Sequence, residues 1–140
     1  MNSFNALLVD DENEFRETLI KRLQKRKLNA FGAEDGAKAL ELLDQNPVDV
    51  VVLDVKMPGM DGIQTLREIK KRFPLIEVIM LTGHASMEVA IEGMEIGAFD
   101  YLMKPIDIDE LVYKLQDAYQ KKTIQEKKII KLRGVNPSIT

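Results

Sequence analysis

Cysteine is missing from this chain altogether. Its absence removes disulfides, thiolate metal sites and a cysteine nucleophile from consideration. Histidine occurs once, at His84, which leaves too little imidazole for a His-based metal centre or a catalytic triad. No apolar run approaches the roughly 20 residues that a membrane span needs, and no charged-then-apolar leader stands at the N-terminus. A cytoplasmic protein without membrane association is therefore the expectation. Charge of one sign is not in excess: 20 basic residues against 23 acidic ones leave a net charge of −3. Direct nucleic-acid binding driven by bulk charge is not expected from that balance. Neither glycine fingerprint of a phosphate-binding loop is present, which argues against a nucleotide-binding α/β protein.

What is there suits one ordinary domain. The 140 residues, 45% apolar and 31% charged, suffice for a core that needs no covalent staple. Along the chain the apolar pattern alternates between strand-like and helix-like periods. The run Ala6-Leu7-Leu8-Val9 ends in Asp10-Asp11, and Phe15, Leu19 and Leu23 follow on one helical face. A weak second strand covers Leu28 to Ala33, and a helix bearing Ala37, Leu40 and Leu43 follows Asp35-Gly36. The most β-branched stretch, Val48 to Leu53, reads as a central strand buried on both faces. After Asp54 comes a loop to Gly62, a helix with Ile63, Leu66, Ile69 and Phe73, and a fourth strand from Ile76 to Leu81. Ser86 is a suitable N-cap for a helix that Gly97 should terminate. A fifth strand spans Phe99 to Met103, and Asp107 opens a last helix that is expected to run to about Arg133.

Strands joined by helix-length connections pair in parallel through right-handed crossovers. The expected fold is α/β: a doubly wound, flavodoxin-like, five-stranded parallel sheet of order 2-1-3-4-5. In such a sheet the site lies beyond the carboxyl ends of the strands. Those ends carry Asp10 and Asp11, then Asp54, Thr82 and Lys104. Each alone has a bland reading: a strand-end Asp is commonly a turn former or helix cap, and Asp11 could cap the first helix. Together they bring three carboxylates, a hydroxyl and an ammonium to one edge. Three close carboxylates cannot all ionise cheaply. An all-oxygen cluster favours Mg²⁺, and carboxylate, metal, Lys and hydroxyl suit phosphoryl transfer through an aspartyl phosphate.

The elements Leu7-Leu8-Val9-Asp10-Asp11-Glu12, Asp54-Val55-Lys56-Met57-Pro58-Gly59-Met60-Asp61-Gly62, Leu81-Thr82-Gly83-His84-Ala85 and Gly97 through Pro105 appear in this order. With them the sequence resembles a response-regulator receiver domain of two-component signalling over residues 5 to about 120. The stretch from Thr82 to Pro105 is also similar to receivers of enhancer-binding transcription activators. Their ATPase and DNA-binding domains have no counterpart here, so a single-domain regulator or an excised receiver is expected.

The resemblance implies that Asp54 accepts phosphate from a sensor histidine kinase or a histidine phosphotransfer protein. It implies Mg²⁺ bound by Asp11, Asp54 and the backbone carbonyl of Lys56, with Asp10 acting through water. Lys104 would pair with Asp54 and then with the phosphoryl oxygens. Thr82 would move to the phosphoryl group and Tyr101 would turn inward after it. Pro105 would follow a cis peptide bond. The protein would catalyse its own phosphorylation and dephosphorylation without turning over a separate substrate.

His84, at the rim, suits control of water access rather than phosphate acceptance. Met57, Met60, Met80, Met87, Met94 and Met103 are expected to pack in core or loop. Residues 1–120 would form the receiver, and 121–140 a helical extension with a flexible tail. Lys121, Lys122, Lys127, Lys128, Lys131 and Arg133 would form a solvated helix face. Ile124, Ile129, Ile130 and Leu132 lie beyond the reach of the sheet, which leaves two readings open: a homodimer through the fourth and fifth helices and this extension, or a mobile linker stub cut from a longer regulator. Two alternatives compete. A haloacid-dehalogenase-like phosphatase would need a second Asp where Lys56 stands, and a phosphorylation-independent interaction module would not need the complete site set.

Overall fold

The structure, a computed structural model, describes residues 3–56, 61–83 and 87–134. The elements run β1 (Asn5–Val9), α1 (Asn13–Lys25), β2 (Asn29–Ala33), α2 (Gly36–Gln45), β3 (Val50–Asp54), α3 (Gly62–Arg72), β4 (Glu77–Thr82), α4 (Met87–Ile96), β5 (Asp100–Met103) and α5 (Ile108–Leu132). All strand pairs are parallel and the order is β2-β1-β3-β4-β5. The doubly wound sheet is thus the one the alternating periods call for. His84, the Ser86 cap and the loop methionines Met57 and Met60 lie outside the described residues.

Strand alternation sends neighbouring side chains to opposite faces, and the core divides accordingly. Val51 and Leu53 of β3 join Leu40, Leu43, Leu66, Ile69 and Ala90, so α2, α3 and α4 cover that face. Val50 and Val52 join Leu19, Leu23, Leu111 and Leu115, so α1 and α5 cover the other. Every residue of β3 is buried, Asp54 included. A strand covered on both faces needs the unbroken apolar run that this segment has.

Aspartates start three of the helices. The side chain of Asp35 accepts from the Lys38 N–H, Asp61 from Gln64, and Asp107 from Asp109 and Glu110. Each satisfies a backbone donor that the helix itself leaves open. Helix α1 has no side-chain cap, which removes the bland reading of Asp11 as its cap. Gly97 ends α4 at φ 126°, a conformation that side chains disfavour.

Two expectations at the periphery need correction. Lys122 does not belong to a solvated face, and Lys121, although exposed, is paired with a distant acid. Lys122 Nζ donates to Asp49 Oδ1 at 3.0 Å, and Asp49 Oδ2 takes the Asn5 N–H at 2.8 Å. Lys121 Nζ lies 3.1 Å from the buried Glu77, which Lys70 also meets at 3.4 Å. Burial opposes charge on Lys122, but Asp49 and Glu126 outweigh it and raise its pKa. The charge pattern reads as solvated because the acidic partners lie 73 and 44 positions away in sequence. Met94 is the other correction: it is exposed on α4 beside exposed Ile91.

Helix α5 runs unbroken through residue 120 to Leu132. The boundary expected there falls inside a continuous helix whose next two residues are tied back to the sheet. Further along α5, Ile124 and Leu132 are exposed. Among the described residues no helix is long and apolar enough to cross a membrane.

Candidate functional site

Alternation also decides which strand-end groups meet. On β1, Ala6 and Leu8 face α1 and α5, and Asp10 follows two positions on. On β3 the sequence Val50, Val52, Asp54 keeps the same face, and on β5 Leu102 is followed by Lys104. The three charged groups therefore emerge on one side of the carboxyl edge. Lys104 Nζ sits 3.3 Å from Asp10 Oδ2, 3.5 Å from Asp54 Oδ2 and 3.7 Å from Glu12 Oε1. The Lys104–Pro105 peptide is cis.

Asp10 and Asp54 are both buried, and each is held by local backbone. Asp10 Oδ1 accepts the Glu12 N–H at 2.9 Å, and Asp54 Oδ1 accepts the Lys56 N–H at 3.1 Å. Burial is the main force on the Asp54 carboxyl and raises its pKa above 3.8. The Lys56 N–H opposes this, the Asp10 charge adds to it, and Lys104 opposes it again. For Lys104, burial works against the charge, but Asp54, Asp10 and Glu12 outweigh it, so the ammonium holds its proton more tightly than usual. The site thus stores unfavourable negative charge that one ammonium only partly offsets.

Oxygens of Asp10, Glu12 and Asp54 lie within 4.8 Å of one another, so this trio could hold a metal ion. Strand-end reasoning misses Glu12, although it is the third acid of an Asp-Asp-Glu run. That run was the available signal. Asp11 is exposed at the lip of the site and outside this trio.

Thr82 is buried, and its Oγ1 donates to the Leu102 carbonyl at 3.4 Å. On β4, Ile79 and Leu81 face α1 and α5 whereas Val78 and Met80 face the other helices. Thr82 follows Met80 in that alternation, and Tyr101, half-buried, packs on the same layer. The hydroxyl pair thus belongs to the α3–α4 side, and the acid–ammonium cluster to the α1–α5 side.

Gly62 lets α3 start against the end of β3. Its N–H donates to the Val55 carbonyl at 3.3 Å. A Cβ there would overlap Val55 Cα and lie 2.8 Å from the Asp54 carbonyl oxygen. Both obstacles are backbone and cannot rotate away. Gly62→Ala should therefore cost about 1–3 kcal/mol, as overpacking generally does, read as a lowered urea midpoint with unchanged slope.

A doubly wound sheet with buried acids facing a lysine at its carboxyl edge defines an α/β protein of the aspartate-centred receiver class. The response regulator receiver domain family matches residues 6–116, and the chain belongs to that family, as a receiver domain of two-component response regulators. It is 38% identical over 135 residues to the DNA-binding transcriptional regulator NtrC of Escherichia coli, covering 94% of this chain and 28% of that protein. It is also 38% identical over 120 residues to a putative response regulator NtrX-like protein of Rickettsia felis, covering 84% and 25%. The chain thus spans about a quarter of the length of these relatives. Among solved structures, a response regulator receiver domain protein of Clostridium thermocellum superposes with a TM-score of 0.84 at 34% identity, covering 87% of this chain and 98% of that one. The receiver domain of NtrX from Brucella abortus superposes with a TM-score of 0.78 at 32% identity, covering 82% and 98%.

Proposed function

We propose that Asp54 is a phosphoacceptor, charged by the phosphohistidine of a sensor histidine kinase or a histidine phosphotransfer protein. The observation that carries this reading is the suspension of Lys104 Nζ between the buried carboxylates of Asp10 and Asp54. An Asp54 oxygen attacks phosphorus as the bond to the donor nitrogen breaks. Lys104 is already beside the position that the phosphoryl oxygens take, so charge stabilisation needs little rearrangement. The same chemistry serves a small-molecule donor, and labelling by acetyl phosphate, mapped to Asp54, is the direct test.

The donor set suits Mg²⁺: every available ligand is oxygen, and the cluster carries an excess of carboxylate. Asp11, Asp54 and the Lys56 carbonyl would hold it, with Asp10 acting through water. Bound there, Mg²⁺ neutralises the carboxylates and the incoming phosphoryl oxygens. The Thr82 hydroxyl would exchange the Leu102 carbonyl for a phosphoryl oxygen, and Tyr101, on the same layer, would follow it inward. The receiver acts on its own Asp54 and on no separate substrate. Its expected setting is the cytoplasm, without nucleic acid or membrane contact of its own.

Output would pass through a homodimer made by α4, α5 and the extension. Exposed Ile91 and Met94 on α4, and Tyr113 and Ile124 on α5, supply apolar surface for it. Near Ile124 an open hollow of about 470 Å³ is lined by Phe4, Tyr119, Thr123 and Lys127. Ending the chain at Gln120 would also remove the Lys121 and Lys122 ties. A chain ending at Thr123 keeps them, and should sediment as monomer while retaining Asp54 labelling. A full-length protein that stays monomeric at high concentration, with and without beryllofluoride, would rule the dimer out.

A further inference from the structure

The Lys104 ammonium has a fourth neighbour that is not a carboxylate. It lies 4.5 Å from the centroid of the Phe15 ring, on the first turn of α1. The ring packs against the cluster that contains Leu8, Leu19, Val52 and Leu81. Phe15 is therefore fixed from below by the core and offers its π-face to the cation above. From this juxtaposition we propose that Phe15 is a positioning residue for phosphoryl transfer: its ring holds the Lys104 ammonium at the phosphoryl-binding position through a cation–π contact. The proposal rests on the phosphoacceptor reading.

The physical case turns on what changes when charge enters the site. Lysine is a point charge on a flexible four-carbon stem, and Lys104 keeps about a quarter of its side chain exposed. Its three carboxylate partners are also the groups that could hold a metal ion. A cation bound to those oxygens weakens their hold on the ammonium and repels it. The Phe15 ring is the neighbour of Lys104 whose attraction no other cation takes over. It keeps the ammonium in the site through the interval when the carboxylates are shared. A ring in this role is useful because it attracts a cation without offering an oxygen that a metal could bind.

The test separates the quadrupole of the ring from its bulk. Full-length protein is made with phenylalanine, mono-, di- and trifluorophenylalanine at position 15, alongside Phe15→Leu and Phe15→Tyr. Fluorination drains the π-face with little change of shape. The initial rate of acetyl-phosphate labelling should fall stepwise along the series, by roughly five- to tenfold at its end, the effect expected of a partly desolvated cation–π contact. Phe15→Leu should fall by a similar factor, and Phe15→Tyr should retain most of the rate. A flat series in a protein that labels normally would overturn the proposal. A second readout is independent of phosphate. The ε-methylene protons of Lys104 should be displaced upfield by the ring in the unlabelled protein, and Phe15→Leu should abolish that displacement. If the native protein takes no label, the phosphoacceptor reading falls. The placement of Lys104 by Phe15 is then upheld if the proton displacement is present and rejected if it is absent.

Discussion

Asp54→Asn should leave the protein unlabelled by acetyl phosphate, because a carboxamide is not a competent nucleophile towards phosphorus. The effect is expected to be complete, since β3 delivers a single carboxylate to the site and Asp10 is already engaged by the Glu12 N–H and by Lys104. Stable labelling of the variant at native level, mapped to another residue, would remove Asp54 from its role. The same substitution reports on the electrostatics. Burial is the main cause of the raised Asp54 pKa, so the native state binds this proton more tightly than the unfolded chain does. The contribution of Asp54 to stability is then full below the ordinary value of 3.8 and lost as pH rises through the raised folded value. At neutral pH the ionised carboxylate costs stability. Asp54→Asn should raise the urea midpoint at neutral pH, and the gain should shrink as pH falls towards that of the free carboxylate. A gain that grew on acidification would reverse the sign assigned here.

Excess chelator should suppress labelling by acetyl phosphate as fully as loss of Asp54 does, and added Mg²⁺ should restore it. The clustered oxygens of Asp10, Glu12 and Asp54 motivate this expectation. Substitution should also rank the ligands. Asp10→Ala, removing a partner that acts through water, should weaken Mg²⁺ binding by about 10- to 100-fold, the usual effect of losing an outer-shell group. Asp11→Ala, removing a direct ligand, should weaken it further. Glu12→Ala decides between Asp11 and the convergent trio: a larger loss there than in Asp11→Ala would make Glu12 the ligand instead. Undiminished phosphorylation in chelator would refute the metal requirement itself.

Much of the site is legible from strand ends alone. The β-branched run before Asp54 marks the central strand, and a parallel sheet must place Asp10, Asp54, Thr82 and Lys104 at one edge. What the linear sequence hides is any contact whose partners are distant and whose residue types are commonplace. Glu12 reads as one acid among three, Phe15 as one apolar residue of a helical face, and Lys122 as one lysine of a basic tail. Only the meeting of the start of α1 and the residue after β5 at the carboxyl edge brings Glu12 and Phe15 to Lys104. Likewise, only the seating of α5 on the sheet brings Lys122 to Asp49.

The sequence by itself determined the order of elements, the parallel sheet and the identity of the charged strand ends. Those follow from local periodicity and from the steric rules of crossovers, which act over short stretches of chain. The tertiary structure decided which neighbour each charge finds, how deeply Asp54 is buried and how far α5 is tied to the sheet. Burial and Coulomb interaction depend on distances through space, and folding sets these between residues as far apart as Asp10 and Lys104, 94 positions along the chain.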